Sequence, residues 1–171
     1  MGMYLNPGND GFTEAIRTDY VDKTGMLALI NRTINTKKKL TCISRPRRFG
    51  KSYAARMLCA YYDCTCDSHD LFNERNISKD SSYEEHINKY QVIYLDMSNL
   101  LGKARPEQLV QFIKDNVEAE ILNSYPDVKK KNPGKIGPRN RCRWMKMDKW
   151  FIASWKTLTK TIISWMSSLA W

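Results

Sequence analysis

The feature that most constrains this chain is a nine-residue string, Ser44–Ser52, with the sequence SRPRRFGKS. An apolar run, residues 40–43, precedes the string, and a helix-forming run, residues 53–60, follows it. A strand, a tight loop ending in Gly-Lys-Ser and a helix form the layout of a phosphate-binding P-loop. The string therefore predicts an anion site at the start of the helix, where backbone N–H groups converge and the helix dipole favours negative charge.

Two side chains of the string have the chemistry that a nucleoside triphosphate and its Mg²⁺ require. The Lys51 ammonium would reach the β- and γ-phosphates as a point charge. The Ser52 hydroxyl would bind the Mg²⁺ that accompanies the nucleotide. We therefore predict a nucleotide site with no assigned catalytic residue, and its predicted binding residues are Arg45, Pro46, Arg47, Arg48, Phe49, Gly50, Lys51, Ser52 and Tyr53.

The string departs from the G-x-x-x-x-G-K-[ST] pattern at the first position, where Arg45 replaces glycine. Glycine is favoured there because the loop turns sharply and can require φ > 0. Pro46 offers some rigidity in compensation. The alternative interpretation is an ordinary loop before a helix, since Gly-Lys-Ser alone is a common tripeptide. The strand before the loop and the helix after it favour the phosphate site.

The net positive charge of the chain comes entirely from its last quarter. The net charge is +10, yet residues 1–128 contain 17 Lys or Arg and 17 Asp or Glu. Residues 129–171 contain 11 Lys or Arg and one acid, Asp148. All nine Tyr lie before residue 129, and all five Trp lie after it. Because charge and aromatic usage change at one point, we predict an ordered domain over residues 1–128 and a basic, Trp-rich tail over residues 129–171.

The chain of 171 residues is long enough for one domain with a core. Its start lacks the basic and apolar regions of a signal peptide, and the five cysteines are an odd number, which together predict reduced thiols in the cytoplasm. No apolar run reaches the roughly 18 residues of a membrane span, so we expect no integral membrane association. Cys64, Cys66 and His69 are spaced like metal ligands, but no fourth ligand accompanies them.

Apolar spacing and capping residues predict the main elements of residues 1–128. The predicted strands are short β-branched runs, Lys39–Ser44 and Gln91–Ser98. The predicted helices carry apolar side chains on one face, and they are Asp10–Arg17, Asp22–Thr33, Gly50–Tyr62, Asp67–Asn73, Tyr83–Lys89 and Pro106–Ser124.

The second predicted strand ends in Asp96, and this position has two interpretations. An acid at the carboxyl end of an apolar strand is typical of a Walker B motif, in which it orients Mg²⁺ and the attacking water. Such strands often carry a second acid, whereas Met97 and Ser98 follow here. The alternative is a further sheet strand whose Asp caps the loop that follows it.

The end of the tail has the composition of a basic amphipathic helix. From Asp148 onward, Trp, Phe, Ile and Leu approximate a wide helical stripe, and Lys149, Lys156 and Lys160 lie between them. A helix of this kind lies on anionic membrane surfaces, and Trp side chains over a basic groove also stack on nucleic-acid bases. An interaction protein that binds membrane surfaces, nucleic acid or another protein through this tail is therefore the alternative function. The other interpretation is sequence that was never selected as protein.

Residues 4–127 resemble the N-terminal part of the bacterial AAA-ATPase-like family, P-loop proteins often joined to a nuclease-like domain of the PD-(D/E)XK type. The residues that carry the resemblance are Tyr20–Thr24 (YVDKT), the string Ser44–Ser52, the run Ala60–Tyr62 and the strand Val92–Asp96. Arg at the first glycine position is normal in that family, so the resemblance implies that Arg45 is compatible with ATP binding. It implies an α/β P-loop NTPase fold, a parallel sheet flanked by helices, of which this chain holds an incomplete sheet and a helical or disordered tail.

The resemblance also bears on hydrolysis. In that family the strand after the P-loop helices precedes the Walker B strand, so Asp96 is not the Walker B acid. Residues 129–171 contain no apolar run followed by Asp-Glu. We therefore expect a truncated, frameshift-like product, with an authentic alternative C-terminus as the other interpretation. Without the Walker B strand, two strands would have exposed edges or would pair in a way that differs from the family. We expect the chain to bind ATP and Mg²⁺ and not to hydrolyse ATP, which leaves its status as an enzyme open.

The segment Tyr20–Thr24 precedes the predicted P-loop strand in the chain. One hypothesis is that this segment forms a wall for the nucleotide base. The alternative is that it is the packed start of an N-terminal helix.

Overall fold

Helices make up most of the chain that the structure describes. The structure is a computed structural model, and it describes residues 3–34, 36–44, 46, 48–103, 105–126 and 150–155, the last range for its backbone only. In chain order the elements are α1 (Asp10–Ile16), α2 (Gly25–Asn31), α3 (Lys51–Tyr62), α4 (His69–Phe72), α5 (Tyr83–His86), β1 (Gln91–Asp96), α6 (Met97–Leu101), α7 (Leu109–Ser124) and β2 (Trp150–Trp155), with short 3₁₀ turns at Asn76–Lys79 and Pro106–Gln108.

Strand β1 separates two hydrophobic clusters, one on each of its faces. Val92 and Tyr94 contact the first cluster, whereas Ile93 and Leu95 lie in the second. This division follows from the pleat, because successive side chains of a strand point to opposite faces. The first cluster is built on α1, α2 and α3, and the second on α6 and α7. Helices therefore cover both faces of β1.

Both edges of β1 are paired. On one edge β2 runs parallel to it, with Gln91 opposite Trp150 and Asp96 opposite Trp155. On the other edge Leu5 forms an antiparallel bridge with Ile93, and the amide of Asn6 donates to the Val92 carbonyl at 2.8 Å. Of the two outcomes expected for the strand edges, β1 therefore shows pairing, because the N-terminal segment and β2 satisfy its backbone groups.

The predicted strand Lys39–Ser44 is wrong. Residues 39–44 have no regular secondary structure, and the Leu40 side chain is 73% exposed. A strand is stable only where neighbours pair with its backbone groups. The described strands pair with each other and with the N-terminal segment, so no described strand lies beside residues 39–44.

The predicted helix from Asp148 onward is wrong at residues 150–155, which form β2. The sequence WFIASW is rich in aromatic and β-branched residues, and these fit a pleated surface better than a helix. The pairing with β1 supplies the hydrogen-bond partners that a local pattern does not reveal. The remainder of the tail that was predicted to be helical lies outside the described residues.

The other predicted elements are found with shifted bounds. Helix α2 begins at Gly25 rather than at Asp22, and α5 ends at His86 rather than at Lys89. Helix α7 begins at Leu109, after the 3₁₀ turn that contains Pro106. The ends of a helix are the part that a sequence pattern defines least well, so shifts of this size are expected.

Helix α3 contributes the aromatic centre of the first cluster. The Tyr61 and Tyr62 side chains are fully buried, and their rings meet edge to face with centroids 4.9 Å apart. The Phe72 ring lies 5.3 Å from Tyr61 and stacks on Phe12 at 5.1 Å. Aromatic contacts of this geometry stabilise a core beyond the area they bury, so the C-terminal half of α3 is fixed against its neighbours.

Among the described residues no helix is long and apolar enough to cross a membrane. In the same part of the chain, no group of three or more His, Cys, Asp or Glu side chains could hold a metal ion. Among the described cysteines, Cys42, Cys59, Cys64 and Cys66 form no disulfide. The Cys66 thiol is instead 3.6 Å from the Ser68 hydroxyl.

Candidate phosphate-binding site

The predicted loop reaches helix α3 through a left-handed glycine. Gly50 is the N-cap of α3 and has φ +70°. A residue with a Cβ reaches this conformation only with strain, which is why glycine is favoured there. A Cβ at position 50 would also lie 2.5 Å from the Lys23 Nζ. The backbone conformation therefore favours glycine where the loop becomes the helix, and a Cβ there would also displace the flexible end of the Lys23 side chain.

The first turn of α3 presents backbone N–H groups at the loop. The first hydrogen bond inside this turn runs from the Ala54 amide to the Gly50 carbonyl, at 3.0 Å. The amides that precede Ala54 have no carbonyl four residues back within the helix. Gly50 has no side chain with which to cap them. A tetrahedral anion bound at this end would accept hydrogen bonds from these amides.

Lys51 and Ser52 are the first two residues of α3. Lys51 is half-buried, and Ser52 is exposed. The structure thus brings the predicted phosphate ligand and the predicted Mg²⁺ ligand together on one helical turn, beside the left-handed Gly50. A divalent cation prefers oxygen ligands such as the Ser52 hydroxyl, so the donor set fits nucleotide and Mg²⁺.

Among the remaining predicted site residues, those that the structure describes are largely at the surface. Pro46 and Arg48 are exposed, and Arg48 has φ +67°, an uncommon conformation for a residue with a side chain. Phe49 is 61% exposed and Tyr53 43%. Arg45 and Arg47 lie outside the described residues. The loop therefore turns through two left-handed residues within three positions before α3 begins.

Lys23 contacts this loop, and sequence reasoning did not assign it to the site. Its Nζ donates a hydrogen bond to the Phe49 carbonyl at 3.0 Å. The contact joins residues 26 positions apart, so no local pattern reports it. The only available signal is the string YVDKT. This string is part of the family resemblance, and one hypothesis makes it a wall for the nucleotide base.

At the two ends of the segment, Tyr20 and Thr24 pack against their neighbours. The Tyr20 ring meets Phe12 edge to face at 5.4 Å, and the Arg75 guanidinium lies 5.4 Å from the centre of the same ring. Thr24 is the N-cap of α2. The segment is therefore the packed start of a helix, as the alternative interpretation predicted, with Lys23 reaching the loop.

Asp22 holds this segment to a neighbouring turn. Its carboxylate accepts hydrogen bonds from the Thr24 amide at 2.8 Å and from the Asn76 amide at 3.0 Å. Partial burial acts to raise the pKa of Asp22, but these hydrogen bonds outweigh it and hold the pKa below its ordinary value of 3.8. The ionised carboxylate is thus engaged by amides, which leaves the Lys23 ammonium to the loop.

Asp96 lies at the carboxyl end of β1, next to the first turn of α6. Its Oδ2 accepts a hydrogen bond from the Asn99 side chain at 3.3 Å. This contact joins Asp96 to the side chain of a residue on α6, and the choice between a loop cap and a Walker B acid stays a prediction.

A profile of the family described as "Predicted AAA-ATPase" (AAA-ATPase-like) matches residues 8–164. The match covers well over half of the chain, and the chain therefore belongs to this family. It begins close to the predicted start of the resemblance and continues past residue 127, its predicted end. No curated protein and no solved structure matches the chain.

Proposed function

We propose that this chain binds ATP together with Mg²⁺ through the loop of residues 44–50 and the first turn of α3. The backbone amides at the start of α3 would hold the phosphates, with the Lys51 ammonium as their counter-charge. The Ser52 hydroxyl would be a ligand of Mg²⁺. Nucleotide use agrees with membership of the AAA-ATPase-like family.

The observation that carries the proposal is the junction of loop and helix. Gly50 adopts φ +70° directly before Lys51 and Ser52, so the two residues that the motif assigns to phosphate and metal follow the sharp turn immediately. The backbone of an ordinary N-cap residue is typically extended, whereas that of Gly50 is left-handed. The cap position has instead lost the side chain that would compete with a ligand for the first amides.

The arrangement around β1 supports a P-loop NTPase fold. Strands β1 and β2 are parallel, and helices lie against both faces of β1. Parallel strands covered by helices on both faces are typical of doubly wound α/β proteins. We propose that the chain holds the N-terminal portion of such a sheet. Residues 40–44 lead directly into the loop, although they form no strand in the structure.

We further propose that binding is not followed by hydrolysis. Phosphoryl transfer needs groups that position the attacking water and stabilise the developing charge. Asp96, the one acid at a described strand end, is engaged by Asn99, and residues 129–171 contain a single acid, Asp148. Phosphate release at saturating ATP should therefore equal the background of the Lys51→Ala variant, and release that Lys51→Ala abolishes would contradict this part of the proposal.

The test of binding compares Lys51, the first residue of α3, with Lys89, which belongs to a segment that contacts the other end of α3. Lys51→Ala should abolish the binding of labelled ATP in the presence of Mg²⁺, because it removes the charge that faces the phosphates. Lys89→Ala is the matched control, since Lys89 is exposed and lies between Asn88 and Tyr90, whose amides donate to the carbonyls of the last turn of α3. Equal ATP affinity in the wild type and in Lys51→Ala would overturn the proposed function.

We propose separately that the chain divides after residue 128, and that residues 129–171 are non-native sequence produced by a frameshift. The change of charge and aromatic usage at residue 129 supports it. The family match that continues to residue 164 and the pairing of β2 with β1 weigh against it. Resequencing the gene decides the question, because a frameshift predicts that another frame downstream encodes an apolar run followed by Asp-Glu.

A further inference from the structure

We propose that Lys23 is a positioning residue of the nucleotide site, which orients the peptide unit between Phe49 and Gly50 and adds a positive charge beside it. The inference rests on the proposed function, since it concerns how the same site is prepared for phosphate. It assigns a role to one residue of the YVDKT string, which lies outside the P-loop motif.

The geometry of the peptide unit carries the first step. The Lys23 Nζ donates to the Phe49 carbonyl at 3.0 Å. In a trans peptide the carbonyl of one residue and the N–H of the next point in opposite directions within one plane, and the described residues contain no cis peptide. When Lys23 holds the Phe49 carbonyl, it therefore also fixes the direction of the Gly50 N–H, away from Lys23.

The charge of Lys23 carries the second step. A hydrogen bond from an ammonium polarises the carbonyl that accepts it, and the N–H of the same peptide becomes a stronger donor. In the described part of the chain Lys23 forms no salt bridge. Its neighbour Asp22 is engaged by the amides of Thr24 and Asn76. The Lys23 charge is thus directed at the loop and is not neutralised by an adjacent carboxylate.

The backbone of Lys23 is held by its neighbours, so the side chain extends to the loop from a fixed position. The Lys23 amide donates to the Tyr20 hydroxyl at 3.3 Å, and that hydroxyl also lies 3.5 Å from the Met57 sulfur on α3. Tyr20 thus accepts from the Lys23 amide and Asp22 accepts from the next amide, that of Thr24, while the Lys23 ammonium reaches the loop. A lysine whose backbone is held in this way can orient the loop at little entropic cost when a ligand binds.

Gly50 and Lys23 depend on each other. A Cβ at position 50 would lie 2.5 Å from the Nζ of Lys23 and would push the ammonium away from the loop. The glycine of the motif therefore serves the approach of Lys23 as well as the left-handed turn. This close approach is what separates a positioning role from an incidental surface contact.

The experiment measures the affinity of the full chain for labelled ATP with Mg²⁺ in Lys23→Met, Lys23→Arg and the control Lys89→Met. Lys23→Met keeps the length of the side chain and removes its charge, and we expect affinity to fall about tenfold, the loss of one charged hydrogen bond. Lys23→Arg keeps a charged donor and should stay within about threefold of the wild type. Lys89→Met should bind as the wild type does.

A second readout separates positioning from stability. In the nucleotide-free chain Lys23→Met should shift the ¹H and ¹⁵N resonances of the Gly50 amide and leave the thermal midpoint unchanged, because Lys23 is exposed. Wild-type affinity in Lys23→Met overturns the inference alone, provided that Lys51→Ala has abolished binding. Loss of affinity with an unmoved Gly50 amide also overturns it. Equal affinity in Lys51→Ala and the wild type removes the proposed function, and this inference with it.

Discussion

The two ends of helix α3 have opposite environments. At its C-terminal end Tyr61 and Tyr62 are fully buried, and their carbonyls accept hydrogen bonds from the amides of Asn88 and Tyr90, both at 2.8 Å. At its N-terminal end Ser52 and Tyr53 are exposed, and the chain that enters the helix is exposed from residue 39 to residue 44.

The difference shows how one helix holds a fold and presents a site. The C-terminal end has its carbonyls satisfied and its rings packed, so it anchors the helix. The N-terminal end retains amides without helical acceptors, and these are what an anion binds. Binding groups act best when a rigid element supports them, so the buried end of α3 determines where the open end presents Lys51.

The largest expected effect is on the anchored end. Tyr61→Ala should lower the free energy of unfolding by about 3–5 kcal/mol, because it leaves a cavity among Phe72, Tyr62 and Tyr83. Tyr53→Ala, on the same helix but 43% exposed, should change it by no more than about 0.5 kcal/mol. Urea denaturation of the pair measures the contrast, and similar shifts in the two variants would show that α3 is not anchored at one end.

The polar contacts of the anchored end give the next effect. Asn31 accepts a hydrogen bond from the Tyr62 hydroxyl at 2.6 Å and donates to the Ser82 hydroxyl at 2.8 Å. Asn31→Ala should cost about 1–3 kcal/mol, since it removes the side-chain acceptor of the buried Tyr62 hydroxyl. Asn99→Ala, at an exposed position, is the control. In a double-mutant cycle with Tyr62→Phe the two losses should not add, because both remove one hydrogen bond.

At the open end the comparison is between two glycines. Gly50→Ala should lower stability by about 1–2 kcal/mol, because alanine does not favour φ +70°, and it should also abolish ATP binding. Gly25→Ala places a methyl at the start of α2, where nothing lies within 4 Å of it, and should raise stability by about 0.4–1 kcal/mol. Retained ATP binding in Gly50→Ala would mean that the left-handed turn is not needed for the site.

The elements that sequence predicted correctly are those whose signal is local. Helix α3 and helix α7 carry apolar stripes and recognisable starts, and both are found near their predicted bounds. The errors concern strands. Residues 39–44 have β-branched composition without a described partner, while 150–155 have a partner, β1, that composition does not reveal. Strand formation depends on pairing between distant segments, which a single sequence does not display.

The site divides in the same way. The order Gly50, Lys51, Ser52 could be assigned from the motif, because adjacent residues of a helix start are brought together by local geometry. Lys23 could not, because it reaches the Phe49 carbonyl from a separate segment of the chain. A lysine next to an aspartate is common in sequences. Here two backbone amides engage the Asp22 carboxylate, which leaves the Lys23 ammonium to contact the loop.

The smallest expected effect is a pH dependence near the anchored end. His86 is buried, its Nδ1 lies 2.5 Å from the Tyr90 hydroxyl, and its ring stacks on Tyr90 at 5.8 Å. Burial lowers the pKa of His86 below its ordinary value of 6.5, and Glu85 opposes this only in part. Between the folded pKa and 6.5 the unfolded chain binds more protons than the folded chain, so stability falls as pH decreases through this window.

That pH dependence can be checked residue by residue. An NMR titration of the His86 ring should give a midpoint below 6.5, and His86→Gln should flatten the decline of unfolding free energy between neutral pH and the folded pKa. A midpoint at or above 6.5 would mean that His86 is solvated, and that the packing around Tyr62 and Tyr90, whose rings lie 5.4 Å apart, is looser than the anchored end of α3 requires.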